Sequence, residues 1–506
     1  MRAERSIKNS TSAVMLQTLT ILLSFVVRTV FIRTLGKVFL GINGLFDNIL
    51  QMLSLAELGV GTAITYSMYR PMAENDTAKV NILLKLYKKV YIVVGSVVLI
   101  AGLCLSPFLD YFISDKPNIP NLVLYYVIYV VNSASTYFFI YKTSVIIVAQ
   151  NEYIITIRKM AFVVLKYVAE IIVLLFLKSY TIYLVASVFS NISCNISISK
   201  KAEKLYPFIK EKVTGNLPKE EKVSIVKNIG ALFFHRIGNV AVNATDNLII
   251  SKILGLTLVG LYSNYLLIIN TINTFINILY NNITASVGNV NVTETLERKY
   301  QVYKNIAFTN FWIACFCSTS LIVLLNPFIS LWIGDEYLLD INIVIILVAN
   351  CYFKIIRKST LIFRNAMGLF WNDRYKPLFE AAVNLVASVI LAVKYGIIGV
   401  FIGTLISTLT TCFWIEPWIL YKYGFNKKVI EYFKMFFGYF IVTFFIIVLT
   451  YALSNLPTVD SLLKFIIKAL ISLSVPNMIF ILLYHRSEEF LYIKGLVKNY
   501  AKKNSR

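Results

Sequence analysis

The sequence predicts an all-α polytopic membrane protein with about fourteen transmembrane helices, and three observations carry that prediction. Of its 506 residues 58% are hydrophobic, with a mean hydropathy of +0.71. Only 15% are charged, where a soluble protein carries about 25%. The apolar residues also fall in runs of about 20, the length that crosses a bilayer core. A net charge of +23 would suggest nucleic acid if it lay on one soluble face. Here it falls in short loops between apolar spans, the positive-inside arrangement, and contact with anionic membrane lipids comes with that. Nucleic acid is therefore not an expected partner.

In order, the spans are expected near 11–33, 44–66, 88–110, 121–148, 154–177, 179–198, 228–253, 258–284, 304–326, 338–363, 375–394, 396–420, 432–454 and 462–484. The first lacks a small-residue cleavage site and is longer than a signal-peptide core, so it is expected to stay as a transmembrane helix. Alternate loops hold the positives: Arg70 to Lys89, Arg158 and Lys159, Lys200 to Lys227, Arg298 to Lys304, Arg374 and Lys376, Lys422 to Lys428, and the tail. That alternation and an even span count put both termini in the cytoplasm. The one long polar segment, 199–227, reads as a basic linker on the inner leaflet and is too short for a soluble catalytic domain. The expected organisation is an N-terminal lobe of six helices (1–198), the linker (199–227), a second six-helix lobe (228–422), and two extra helices with a basic tail (423–506).

The two halves resemble each other. At a constant offset of 219 residues Leu35 and Gly36 fall on Leu254 and Gly255, Arg33 on Lys252, and Leu40 and Gly41 on Val259 and Gly260. The same offset sets Gln17, Thr20, Ser24 and Arg28 on Arg236, Asn239, Asn243 and Asn247, and Gln51 and Ser54 on Asn270 and Asn273. Spacings of three and four put each set on one helix face. Six helices per repeat make the copies parallel, and such repeats place a substrate site between them.

The polar faces suggest the chemistry. The seventh span carries His235, Arg236, Asn239, Asn243, Asp246 and Asn247, and intramembrane charge normally faces a protein interior or a watery path. Arg28, Lys142, Lys166, Arg236 and Lys354 are the cations available to a phosphate. Lys142 and Lys354 have snorkelling to a helix end as the plain alternative, and Lys166 has neutralisation by Glu170 four residues on. Gln17, Ser24, Gln51, Asn239, Asn243 and the Asn270, Asn273, Asn277 and Asn281 stripe suit sugar hydroxyls, with interhelical hydrogen bonding as the alternative. Asp47, Glu57, Glu170 and Asp246 are the intramembrane acids; Glu57, Asp246 and His235 are the candidates for coupling to an H⁺ or Na⁺ gradient, against internal salt bridges. Cys104, Cys194, Cys315, Cys317, Cys351 and Cys412 lie in apolar segments without zinc-site spacing. No metal, no cofactor and no P-loop is expected.

The blocks RTVFIRTLG (28–36), FLGINGL (39–45) and LSLAELGVG (53–61), with DNLII (246–250) and VGLY (259–262), resemble the Wzx-type polysaccharide repeat-unit flippases. The resemblance implies the multidrug/oligosaccharidyl-lipid/polysaccharide exporter fold, two six-helix lobes around a V-shaped cavity with two extra helices. It implies movement of an undecaprenyl-pyrophosphate-linked oligosaccharide across a bacterial plasma membrane by alternating access, with Arg28, Glu57 and Asp246 at matched positions. It also implies partners in the polymerase and glycosyltransferases of such a pathway. A peptidoglycan-precursor flippase and a drug or cation antiporter share the fold and stay open as alternatives. A membrane glycosyltransferase or polymerase is disfavoured, because the outward loops are about a dozen residues at most and the first carries Lys37 without a paired acid. The acidic loop at 327–340, with Asp335, Glu336 and Asp340, is what keeps that reading open.

Overall fold

The computed structural model describes residues 2–57, 60–113, 119–211, 217, 218, 221, 245–456 and 461–495. Regular structure among them is helical throughout, and ten helices are long and apolar enough to cross a membrane. The chain is an all-α, multi-pass membrane protein. It divides into two compact units, Met1–Gly260 and Leu261–Arg506.

In the first unit α1 runs over Arg2–Leu53 with a break at Gly36, where φ is 79° and ψ is −177°. Only glycine takes that backbone without strain. The expected second span, 44–66, is not one helix. α1 ends at Leu53, a 3₁₀ turn follows over Ser54–Glu57, and α2 begins afresh at Val60–Ala73. Hydropathy sees an unbroken apolar run there, but a glycine such as Gly61 weakens a helix. Gly61 also leaves room for the hydroxyls of Tyr87 and Tyr91. α3 (Thr77–Leu105) starts on Asp76, whose side chain accepts from the Lys79 amide at 2.9 Å. α4 (Leu122–Val148), α5 (Glu152–Ile172) and α6 (Tyr180–Leu205) complete the unit's main helices, with a π turn at Val173–Leu177 closing α5. Ile64, Met68, Leu83, Tyr91 and Val98 form the core that joins α2, α3 and α4.

A further helix, α7, occupies residues 245–254 and leads through Gly255 into α8 (Leu256–Thr293). Here the sequence repeat has a backbone counterpart. Gly255, the equivalent of Gly36, also has positive φ, at 94°. A Cβ on Gly41 would collide with the Leu256 carbonyl, and a Cβ on Gly260 would collide with that of Lys37. Leu256 is the repeat equivalent of Lys37, so the contact is reciprocal.

The second unit holds the rest of α8, then α9 (Leu296–Ile333), α10 (Ile341–Ala366) and α11 (Lys376–Tyr395). The single expected span 396–420 is a composite: α12 (Ile397–Ser407), a π turn (Thr408–Cys412), α13 (Phe413–Ile419) and a second π turn (Leu420–Phe425). α14 (Ile430–Ser454) and α15 (Ser461–Tyr484) match the two extra spans, and α16 covers residues 488–495. α9, α14 and α15 share a core of Phe308, Cys315, Ile446 and Phe480, with Trp312 stacked on Phe480 at 5.2 Å. α8 and α10 fall outside the ten most apolar helices because of what they carry: asparagines in α8, and Lys354, Arg357 and Lys358 in α10. At 38 and 26 residues both are long enough to span.

Candidate functional site

In the first unit, polar side chains converge from α1, α4, α5 and α6. Arg28 and Asp47 are nineteen residues apart on α1, which a straight helix would hold about 28 Å apart. The break at Gly36 turns the two halves of α1, and the two charges interact. Lys166 of α5 acts on the same carboxylate, and Asp47 is itself exposed while Arg28 and Lys166 are half-buried. Lys166 also lies 3.6 Å from Glu170, a contact too long for a hydrogen bond, and the Glu170 side chain is only 1% exposed. The group thus brings two cations and two carboxylates together.

Hydroxyls and an amide surround these charges. The Asn43 Oδ1 accepts from the Tyr129 hydroxyl at 2.7 Å and also from the Tyr180 hydroxyl. Tyr183 lies near Arg28, and Phe31 packs edge-on against the Tyr180 and Tyr183 rings. The sequence reading did not single out Asn43, Tyr129, Tyr180 or Tyr183. Asn43 lies one helical turn from Asp47, and Tyr180 and Tyr183 lie one turn from each other; that spacing was the available signal.

The other expected positions are more dispersed. Glu57 accepts from the Tyr91 hydroxyl at 2.5 Å. Asp246 is half-buried; Asn247 is buried near Gly44. Gln17 and Ser24 are half-buried, Ser24 donating to the Ile21 carbonyl of its own helix at 2.7 Å, and Gln51 is exposed. Lys142 is paired with Glu203 of α6, which also meets Lys210 at 3.4 Å. His235, Arg236, Asn239 and Asn243, with the side chain of Asn281, lie outside the described residues.

In the second unit the asparagine stripe of α8 divides. Asn270 and Asn277 are exposed, whereas Asn273 is buried and donates to the Ile269 carbonyl at 3.0 Å. Asn277 accepts from Lys358 Nζ at 2.6 Å. Deeper in this unit is a charged group that the sequence reading missed. Arg357 of α10 grips Glu416 of α13 with two hydrogen bonds, 3.0 Å from Nε and 2.7 Å from Nη2. Lys376 of α11 donates to the same carboxylate, and Glu380 lies 3.7 Å from Arg357 and 4.0 Å from Lys376. Glu416 is fully buried. Glu380 and Glu416 therefore join the intramembrane acids. Among the described residues no cluster of His, Cys, Asp or Glu is placed to hold a metal ion.

No family model matches the chain, and no curated protein matches it in sequence. Among solved structures it is similar to the lipid II flippase MurJ in an inward closed conformation, with a TM-score of 0.65 and 14% identity over 95% of this chain and 99% of that one. A MATE transporter from Vibrio cholerae matches at 0.59 and 15% identity, covering 85% of this chain and 98% of its own. An inward-facing multidrug resistance MATE family transporter of the MOP superfamily matches at 0.61 and 14%, covering 80% and 94%. Over nearly its whole length the chain has the fold of these membrane transporters.

Proposed function

We propose that the chain is a flippase that moves an anionic, lipid-linked polar headgroup across a bacterial plasma membrane, with both chain termini in the cytoplasm. Its most specific form is an undecaprenyl-pyrophosphate-linked oligosaccharide for surface polysaccharide export. The observation that carries this reading is the Arg28–Asp47–Lys166 group of the first unit, two cations acting on one exposed carboxylate within an intramembrane helix bundle. The likeness to a lipid II flippase over 95% of the chain supports the same class of task.

Arg28 and Lys166 offer charge-assisted hydrogen bonds to a pyrophosphate. The Asn43 amide, the tyrosine hydroxyls and the exposed Gln51 of the first unit suit sugar hydroxyls, and so, in the second unit, do the exposed Asn270 and Asn277. Because cations and carboxylates balance, an anion must displace Asp47 from its cations. Proton uptake at Asp47 would relieve the repulsion, so anion binding and proton movement are linked. Glu57, Asp246 and His235 are further candidates for coupling. Pathway polymerase and glycosyltransferases are the proposed protein partners.

Deleting the gene is expected to accumulate a lipid-linked oligosaccharide on the cytoplasmic face. Arg28→Ala is expected to reproduce that accumulation and abolish export while the protein remains in the membrane at normal abundance. Normal export by this variant removes the phosphate assignment. A peptidoglycan-precursor flippase is the nearest alternative and would show accumulation of that precursor instead. The likeness to MATE transporters, with the acids Asp47 and Glu170, favours a drug or cation antiporter as the next reading; drug sensitivity without lipid accumulation would establish it.

A further inference from the structure

Glu170 of α5 is a carboxylate enclosed within the first unit. Its side chain is 1% exposed, and neither of its oxygens meets a hydrogen-bond donor of the protein. Lys166, one turn earlier on the same helix, is its ion-pair partner, but their 3.6 Å separation is too long for a hydrogen bond. A carboxylate removed from water persists as an anion where donors or a closely held cation replace the lost solvation. Glu416 in the second unit has that support, since it is buried and accepts from Arg357 and Lys376. Glu170 has no such set of donors. A proton on one of its oxygens removes the cost of the buried charge.

Among the described residues, Lys166 and Tyr167 of α5 and Tyr183 and Ser187 of α6 lie near the Glu170 carboxylate. Arg28 of α1 lies near Tyr183, and Tyr129 of α4 lies near Asp47 and donates to Asn43. Lys166 is therefore a cation that two carboxylates share, the buried Glu170 and the exposed Asp47. While Glu170 is ionised it attracts Lys166. Once it is neutral that attraction is gone, and the ammonium is available to Asp47 or to an incoming anion. A sodium ion in the proton's place would sit beside the same ammonium and be repelled.

We infer that Glu170 is an enclosed proton-binding site whose protonation releases Lys166 to the anionic headgroup, so that proton and headgroup favour each other's binding. The assignment rests on the flippase reading for the anion, and on the surroundings of Glu170 for the proton. It gives the first unit two acids of different kinds: Asp47 is exposed and exchanges protons with solvent directly, whereas Glu170 keeps its proton enclosed. The effect is reciprocal: lower pH tightens headgroup binding, and headgroup binding draws in protons.

The test uses the full-length purified protein in nanodiscs. The probe is farnesyl glucosyl pyrophosphate, a diester whose two charges persist across the neutral range. Infrared difference spectra of the ligand-free protein, acid minus alkaline, are expected to show a protonated-carboxyl band that shifts with isotope-labelled glutamate and is lost in Glu170→Gln. That variant mimics the neutral form at every pH. It is expected to match the wild type in probe affinity at acid pH, to exceed it about 5- to 150-fold at alkaline pH, the range of coupled sites, and to take up fewer protons on binding. Glu170→Asp is expected to keep the wild-type pH profile and to move the band to labelled aspartate, so it serves if the Gln variant fails to fold. A pH profile that Glu170→Gln leaves unchanged, or a band that neither variant alters, overturns the proton site while leaving the flippase reading in place. An affinity that follows sodium and not pH does the same. If the Glu170 band is present but the wild type does not bind the probe, the proton site stands and the anionic headgroup falls.

Discussion

Each unit has a group of two cations and two carboxylates within its helices, yet the two groups differ in burial and in how their charges are held. In the second unit Glu416 is fully buried and receives a two-pronged bond from Arg357 and another from Lys376. In the first unit Asp47 is exposed and is acted on by both Arg28 and Lys166, and Lys166 meets Glu170 only at 3.6 Å. A buried, fully satisfied network is a fixed part of the architecture, and breaking it strands charges in a medium that cannot solvate them. A group whose central carboxylate is exposed can exchange partners with a ligand. Equal charge totals therefore serve opposite ends: the second group ties α10, α11 and α13 together, and the first stays open to a ligand.

The sharpest way to break this contrast is to remove the central carboxylate from each group. Glu416→Ala is expected to lose about 3–5 kcal/mol, the cost of orphaning a buried ion-pair partner. Thermal unfolding of the purified protein measures it, and a loss equal to that of Asp47→Ala would erase the distinction. A smaller effect is expected at the break that brings Arg28 to Asp47. Gly36→Ala should cost about 1–3 kcal/mol from its positive φ. It should also lower transport per molecule, whereas Gly255→Ala, with the same kind of backbone, should match it in stability. Asp47→Asn is expected to change stability least, by about 1 kcal/mol or less, since its carboxylate is exposed and shared. Its signature is functional: transport in vesicles should lose its dependence on a proton gradient. If Asp246→Asn or Glu57→Gln produces that loss and Asp47→Asn does not, coupling belongs to those residues.

What could be read from the chain follows from how directly each feature marks the sequence. Bilayer crossing needs long apolar runs, so helices such as α3, α4, α9, α14 and α15 were visible as composition. The repeat was visible because Gly36, Gly41, Gly255 and Gly260 sit where the backbone tolerates nothing larger. Arg28 was visible as an isolated intramembrane charge. Its meeting with Asp47 was not, since it depends on the turn at Gly36 and on α5 arriving alongside. The seventh-span face, with Arg236, Asn239 and Asn243, lies outside the described residues, and the charges of the first-unit group stand on α1 and α5. Glu416 was hidden in the run TLTTCFWIEPWIL, where one acid scarcely lowers the hydropathy. Asn273 shows the opposite error: a polar residue in a helical stripe can turn inward and satisfy its own backbone.

The π turn at Thr408–Cys412 sets where Glu416 points. A π turn amounts to one residue inserted into an α-helix, so everything after it is rotated by about 100° relative to an unbroken α-helix. Glu416 reaches Arg357 and Lys376 only with that extra residue in place. Deleting a single threonine from the turn would leave every charged side chain present and the hydropathy of the span almost unchanged. It would nevertheless swing the carboxylate off its partners and replace it with a neighbour from the FWIEPWI segment. In this helix a one-residue length change, invisible to composition, is therefore equivalent to losing the acid itself.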